Sequence, residues 1–264
     1  MKSNKKHGES LLYDAFRRLL KRKLAVICLA IISVYFFTAA AIFIAEAFEL
    51  ETTLIQWGER VGDEYQPPGP DYIFGTDFMG RSVLRKVIYG ARVSLTVAFW
   101  ASVISLAIGI PLGAAAGYFG SVVDEVIVWL YTTLSSIPYI LLILAFALVL
   151  KDKTLNLSWA GLGRIEFTGI TSVYMAIGLT SWVGICRLIR GEVIKHKSRE
   201  YVLAARSYGC SSSRIIFVHI LPNVFHLVII NFSLRFVSFI QAEVILSFLG
   251  LGAKSKPSWG AMID

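Results

Sequence analysis

The chain has 264 residues, of which 56% are hydrophobic and 17% charged, and its formal net charge is +8. Soluble domains carry about 25% charged residues, and the apolar runs of this chain match the roughly 20 residues that a helix needs to cross a bilayer. Composition therefore excludes an ordinary soluble domain and predicts an integral membrane protein. Its basic residues lie mostly beside the apolar runs, where they set topology and contact anionic lipid, so we expect membrane lipid and no nucleic acid among its partners.

Five apolar runs are separated by polar segments, and each is long enough for a transmembrane helix. They cover residues 24–45, 93–119, 126–150, 167–186 and 224–249. The first run follows a strongly basic segment, residues 1–23, and is too long for the apolar core of a signal peptide. We therefore interpret it as an uncleaved first transmembrane helix with a cytoplasmic N-terminus. The predicted fold class is all-α, a polytopic helical membrane protein with about five spans.

Residues 46–92 are predicted to form an extracytoplasmic loop and a segment that leads into the second span. The loop is acidic and ends in Pro-Pro-Gly-Pro at residues 67–70, which favours a solvated and extended exit. In the pre-span segment, glycines permit turns, and Asp77 and Arg81 are predicted to form a local charge pair. The residues singled out in this segment are Gly75, Thr76, Asp77, Gly80, Arg81, Gly90 and Arg92.

Two features predict how the next spans pack. Gly109, Gly113 and Gly117 recur at every fourth position and give the second span a small-residue face for close helix packing. Pro138 is predicted to kink the third span, and a kink beside a transport path is frequently functional. Residues 151–166 follow as a second outside loop.

Charged side chains mark the end of one span and the interior of another. Arg187 and Arg190 end the fourth run and are expected to anchor it at the cytoplasmic interface. The fifth run contains Arg235 and Glu243, which lie about 12 Å apart along a helix and are too distant to pair directly. Because a charge at membrane depth is costly unless it faces a partner or water, both residues are candidates for a translocation path. For Glu243, we favour a structural role over one in the path.

Residues 187–223 form a basic, polar segment between the last two apolar runs, with the pattern of two short helices. Ser198 suits the N-cap of the first helix, Glu200 its first turn, and Gly209 the position beyond its end. One stripe of this helix is predicted to consist of Tyr201, Ala204, Ala205 and Tyr208.

Ser211 is predicted to cap the second short helix, which Pro222 would close before the last apolar run. A membrane protein that holds a capped amphipathic helix in water is predicted to dock it into another protein. The small side chains of Ala204 and Ala205 would allow that partner to approach closely.

This segment resembles the cytoplasmic coupling loop of ABC-importer permeases, which seats a short helix in a groove of the ATPase subunit. Leu203 stands where the motif often has Glu. The residues that carry the resemblance, with two others in the same predicted helix, are Ala204, Ala205, Gly209, Leu221, Pro222, Glu200 and Tyr201.

The pre-span segment resembles a narrower group, the C-type permeases of dipeptide and oligopeptide importers. The match includes the glycines and charges of that segment and the sequence Gly-Ala-Arg at 90–92, with Ser82 where the group usually has Asp. Residues 243–252 and 258–260 resemble the same group.

The resemblance implies a type I ABC-importer transmembrane domain that forms half of the path for dipeptides or oligopeptides in a bacterial cytoplasmic membrane. A related permease, in a heterodimer, would form the other half. Two ATPase subunits would use ATP and Mg²⁺, and an extracytoplasmic binding protein would deliver the substrate. Residues 93–264 would be the permease core. Because the family usually has a sixth span, we expect either a truncated chain, which we favour, or a partner that covers the missing helix.

The chain itself is not expected to be an enzyme or to bind a cofactor or metal. It lacks the Gly-rich loop followed by Lys-Ser/Thr that cradles nucleotide phosphates. Its histidines show no clustering that would indicate an intramembrane enzyme. Two alternatives stay open: a permease of the same family for nickel or another small solute, and a secondary transporter or channel.

Overall fold

The computed structural model describes residues 19–48, 56–151, 153–156, 164–167, 169–252 and 256–263. Most of the predicted basic N-terminus and half of the second outside loop lie outside these ranges. In chain order the elements are α1 (Lys23–Ala47), α2 (Val83–Phe119), α3 (Ser121–Ser135), α4 (Tyr139–Leu150), β1 (Lys153–Asn156), β2 (Arg164–Phe167), α5 (Ile170–Lys197), α6 (Glu200–Ser207), α7 (Ser212–Arg214), a π-helical segment (Ile215–Ile220), α8 (Leu221–Phe248) and a 3₁₀ turn (Gly260–Met262).

The all-α prediction is confirmed. In the described ranges, α1, α2, α5 and the continuous helical segment from Ser212 to Phe248 are long and apolar enough to cross a membrane. The pair α3–α4 adds a fifth span if it is counted as one broken helix. A small exception lies in the second predicted loop, where β1 and β2 pair antiparallel.

The chain divides into two compact units, residues 1–92 and 93–264, with the boundary inside α2. In the first unit, the end of α1 is held by Glu46, whose carboxylate pairs with Arg92 at 2.5 Å and accepts a hydrogen bond from Tyr89. The Arg92 guanidinium also lies over the ring of Phe43. These contacts fix the first turns of α2 against α1.

In the second unit, the predicted small-residue face of α2 packs directly on α5. A Cβ atom at Gly109 would lie 1.9 Å from Ile185 Cγ2, and one at Gly113 would lie 2.5 Å from the carbonyl oxygen of Cys186. At Gly117, a Cβ would lie 2.7 Å from the carbonyl oxygen of Arg190. The two backbones are therefore so close that no side chain fits between them at these positions.

Pro138 does more than kink the third predicted span. The run is broken into α3 and α4, whose axes differ by 94°. Proline lacks a backbone N–H and disfavours helical geometry in the residue before it, here Ile137, so the helix ends at Ser135 and restarts at Tyr139.

The fourth span extends further than its apolar run. Helix α5 continues through Arg187 and Arg190 to Lys197. Arg190 forms a bidentate ion pair with Asp124 of α3, at 2.5 and 2.6 Å, and Arg187 donates to Ser135 Oγ at 2.8 Å. Polar partners on α3 therefore allow the helix to run on past its apolar part.

Two details of the predicted caps are wrong. Ser198 ends α5 rather than starting α6, because its hydroxyl donates back to the carbonyl of Lys195 at 3.2 Å, and Arg199 takes the N-cap position. Pro222 does not close the second short helix but lies in the first turn of α8. The preceding π-helical segment shifts the hydrogen-bond ladder by one residue, with Leu221 N–H donating to the carbonyl of Ile216, which accommodates a residue without an N–H.

Candidate functional site

Helix α6 ends as the sequence predicts. Gly209 has a φ of +75°, which L side chains rarely adopt. Its N–H donates to the carbonyl of Arg206 at 3.0 Å, and the N–H of Cys210 donates to the carbonyl of Ala205 at 3.1 Å. This pair of bonds is a Schellman motif, which satisfies the last carbonyls and stops the helix sharply.

One face of α6 is attached to the chain's own core. Val202 and Ala205 are buried in a cluster to which α5, the π-helical segment and α8 also contribute. Tyr201 packs against this cluster and its hydroxyl lies 2.6 Å from His196 Nδ1. The buried face fixes the position of α6 relative to two long helices.

The rest of the α6 surface, together with the C-cap residue Tyr208, is exposed and partly apolar. Tyr208 is 89% exposed, Leu203 is 49% exposed, and Ala204 is also exposed. The predicted stripe is therefore divided, with Tyr201 and Ala205 facing inward and Ala204 and Tyr208 facing outward. Sequence reasoning missed Val202, because both faces of the helix are partly apolar and periodicity does not distinguish an inner face from a docking face.

A second candidate site is a cavity of about 470 Å³ at the break between α3 and α4. Its walls include the break itself, part of α5 and one residue of α8. Arg235 comes from α8, and Arg187, Ser181 and Gly184 come from α5. Ser181 Oγ and the hydroxyl of Tyr139 lie 3.0 Å apart.

The structure does not bring the two predicted charges of the last span together. Arg235 lines the cavity, whereas Glu243 is absent from its lining in the described part of the chain. Sequence reasoning did not connect Arg235 with Arg187. The signal that could have linked them was the cluster of hydroxyl residues around Pro138.

Glu243 is 2% exposed and lies in a network of serines. Its carboxylate accepts hydrogen bonds from Ser94 of α2 at 2.8 Å and from Ser247 at 2.6 Å. Ser258 donates to Ser247 at 3.3 Å, and the backbone N–H of Trp259 donates to Ser94 at 3.4 Å. Glu243 thus joins α2, α8 and the segment after α8, and these contacts support a structural role for its side chain.

The pre-span residues from Gly75 to Arg81 form a compact loop within the first unit, whereas Gly90 and Arg92 lie in α2. Thr76 Oγ1 donates to the carbonyl of Asp63 at 2.6 Å and accepts from the N–H of Gln66 at 2.8 Å. Gly75 has a φ of +72°, and a Cβ there would lie 2.3 Å from the carbonyl oxygen of Gln66. Gly80 also has a positive φ, so the predicted turns are confirmed.

The predicted charge pair between Asp77 and Arg81 is wrong. The Asp77 carboxylate accepts the backbone N–H groups of Met79 and Arg81 and pairs with Lys86 at 2.7 Å. The Arg81 guanidinium lies over the ring of Trp57 instead. In so tight a turn the backbone N–H groups are nearer to the carboxylate than the end of the Arg81 side chain.

These contacts predict how the loop responds to acid. Burial alone would raise the pKa of the Asp77 carboxyl, but hydrogen bonds from Lys86 and from the N–H groups of Arg81 and Met79 lower it below its ordinary value of 3.8. Because the pKa of Asp77 is lower in the folded than in the unfolded chain, these hydrogen bonds stabilise the fold fully above the unfolded-state pKa. That stabilisation is lost as pH falls through the folded-state pKa. Asp77→Asn should cost about 1.5–3 kcal/mol at neutral pH.

The measurement is thermal unfolding of the detergent-solubilised chain between pH 7 and pH 3. The variant should lose less stability than the unaltered chain as pH falls. Asp63→Asn is the matched control, since its side chain is 86% exposed and its ion pair contributes little. Equal acid sensitivity of the unaltered chain and Asp77→Asn would contradict the prediction.

Several apolar spans, an exposed helix attached to two of them, and a charged cavity at a broken span define the class as membrane transport subunits. Residues 109–264 match the family described as binding-protein-dependent transport system inner membrane component. Residues 10–68 match the N-terminal TM domain of oligopeptide transport permease C.

Curated relatives match along nearly the whole chain. The dipeptide transport system permease protein DppC of Bacillus subtilis is 34% identical over 263 residues, which are 99% of this chain and 75% of the relative. The oligopeptide transport system permease protein OppC of Bacillus subtilis is 30% identical over 97% of this chain and 77% of its own length. OppC of Escherichia coli is 32% identical over 97% of this chain and 79% of its own length.

The chain therefore belongs to the family of binding-protein-dependent transport system inner membrane components. Within that family it belongs with the dipeptide and oligopeptide permeases of the C type, as the pre-span resemblance predicted.

Proposed function

We propose that this chain is one of two permease subunits of an ATP-driven importer for dipeptides or oligopeptides. A second, related permease would complete the path as a heterodimer. Two ATPase subunits, one of them docked on α6, would hydrolyse ATP with Mg²⁺, and an extracytoplasmic binding protein would deliver the peptide. The relatives described above, which are dipeptide and oligopeptide permeases, support this choice of substrate.

The observation that carries the proposal is the two-faced packing of α6. Its inner face, with Val202 and Ala205, is buried against α5 and the segment that leads into α8. Its outer face presents Ala204, Leu203 and Tyr208 to a partner. A push on the outer face would therefore be transmitted to two long helices at once, as coupling of ATPase closure to rearrangement of the spans requires.

The distribution of positive charge supports a cytoplasmic position for α6. Basic residues near a span concentrate on the cytoplasmic side. The segment around α6 contains Arg187, Arg190, Lys195, Lys197, Arg199, Arg206 and Arg214. With α6 in the cytoplasm of a bacterial cell, it faces the compartment that holds ATP, and the basic N-terminus lies on the same side.

Affinity purification of the chain from gently solubilised membranes, followed by mass spectrometry, tests this proposal. We expect to recover two ATPase subunits, a second permease and a binding protein whose bound solute identifies the cargo. A peptide would support the proposed substrate, and nickel or another small solute would support the alternative. Recovery of the folded chain alone in several detergents would contradict the importer proposal.

A further inference from the structure

The cavity at the α3–α4 break has an unbalanced positive charge. Two guanidinium groups, those of Arg187 and Arg235, line it, and no Asp or Glu is among its described lining residues. The remaining polar groups are hydroxyls, from Ser135, Tyr139 and Ser181 among others. Hydroxyls donate to an anion but do not neutralise a guanidinium, so the cavity by itself leaves positive charge without a counter-ion.

Arg235 is the deeper of the two arginines. It lies near the middle of α8, about 20 Å from either end at a rise of 1.5 Å per residue, which is close to the centre of a bilayer about 30 Å thick. Its Nε is buried and has no hydrogen-bond partner among the described residues. A charge at this depth normally faces a partner or a functional water-filled path.

The chain makes room for this guanidinium at one position of α5. A Cβ atom at Gly184 would lie 1.6 Å from Arg235 Nη2 and 2.7 Å from its Cζ. The side chain of Arg235 therefore crosses the surface of α5 at Gly184, where a hydrogen atom stands in for a side chain. Contact with Gly184 directs the guanidinium towards the cavity that both residues line.

The break between α3 and α4 also lies at the cavity. Irregular backbone is tolerated at membrane depth only where it is buried in protein or lines an aqueous cavity. Here Ser136, Ile137 and Pro138 of the break all line the cavity. The break, the arginine and the glycine thus converge on one space, about large enough for part of a short peptide.

We propose that this cavity binds the carboxylate of the cargo during its passage, so that the permease itself selects solutes with a free carboxylate, such as a peptide with an unmodified C-terminus. Planar guanidinium groups pair with carboxylates through two parallel hydrogen bonds, and the flanking hydroxyls can donate further ones. The inference rests on the proposed importer function.

The test uses the complete importer, with its ATPase subunits and binding protein, in proteoliposomes. Uptake of tri-alanine and of tri-alanine amide is measured at saturating binding protein, with the unaltered chain and with Arg235→Gln. The binding protein is the same in both preparations, so its own preference cancels when the two uptake ratios are compared.

We expect Arg235→Gln to lower the uptake of tri-alanine roughly tenfold or more, as for loss of a charge-assisted hydrogen bond, and to leave that of tri-alanine amide unchanged. Arg60→Gln is the matched control, because Arg60 is exposed and its ion pair is with the exposed Asp63. Equal loss of both substrates, or no loss of either, would overturn the inference.

A second pair of variants keeps the charge and moves only its position. Gly184→Ala places a methyl group where Arg235 Nη2 lies and should cause the same selective loss of tri-alanine uptake. Gly191→Ala, on the same helix, is the control, because a Cβ there meets nothing within 4 Å. If Gly184→Ala leaves the preference for the free carboxylate intact, the position of the guanidinium does not matter and the inference fails.

Two other occupants of the cavity predict different results. If an anionic lipid headgroup neutralises Arg235, the effect of Arg235→Gln should vanish in vesicles of phosphatidylcholine alone, because the phosphate of that lipid is balanced by its own choline. If an acidic residue of the second permease does so, Arg235→Gln should release that subunit from the purified complex. Either result would overturn the carboxylate site in an importer that still imports peptides, whereas no peptide uptake by the unaltered importer would contradict the proposed function and the inference together.

Discussion

Ala204→Trp is expected to abolish the association of ATPase subunits with this chain and to reduce peptide uptake at least tenfold. Ala204 lies on the exposed face of α6, beside Leu203 and Tyr208. A large side chain there would hold a partner's groove away from the helix, because close-packed interfaces accommodate extra volume poorly. Its effect on the fold of the chain should be small, since the side chain points away from the core.

The measurement is the amount of ATPase subunit that co-purifies with the chain, together with uptake by intact cells. Ala261→Trp is the matched control, because it introduces the same side chain at another exposed alanine. Normal co-purification of ATPase subunits with Ala204→Trp would contradict the docking of α6. Loss of the chain from the membrane would show that Ala204 supports the fold instead.

Gly113→Ala is expected to destabilise the folded chain by about 1–3 kcal/mol, the usual cost of overpacking. The added Cβ would lie 2.5 Å from the carbonyl oxygen of Cys186 and 3.0 Å from Ile189 Cβ. The nearest atom belongs to helix backbone rather than to the end of a flexible side chain, so α2 and α5 must separate to admit it.

Gly191→Ala is the matched control for this prediction, since the same methyl group meets open space there. Alanine in a helix interior is favoured over glycine by roughly 0.5–1 kcal/mol, so this control should be neutral or slightly stabilising. Thermal unfolding in detergent measures both variants. Equal stability of the two would show that α2 and α5 do not pack through Gly113.

The sequence indicates the role of Gly113 more clearly than that of Ala204. Gly113 belongs to a repeat of three glycines, and this repeat predicted a packing face without revealing its partner helix. Ala204 and Ala205 are adjacent and chemically identical, yet one faces outward and the other faces the core. Only the position of Val202 and Ala205 against distant apolar residues distinguishes them.

Apolar length, charge at the ends of runs, and turn residues were sufficient to predict the spans, the end of α6 at Gly209 and the effect of Pro138, since these features depend on the local chain. The extension of α5 to Lys197 was not predictable in this way, because it depends on the pairing of Arg190 with Asp124, which is 66 residues distant. Likewise, Pro222 remains in a continuous helix because the π-helical segment before it changes the hydrogen-bond ladder.

The sequence by itself determined the class of protein, the order of the spans and the polar helical segment between the last two spans, because hydropathy and short motifs reflect whether each stretch contacts lipid or water. Only the tertiary structure decided what the charged residues inside the last span contact. Glu243 meets serines of α2 and of α8, and Arg235 passes Gly184 to reach a cavity at a broken helix. Those contacts join residues far apart in the chain, and no local pattern encodes them.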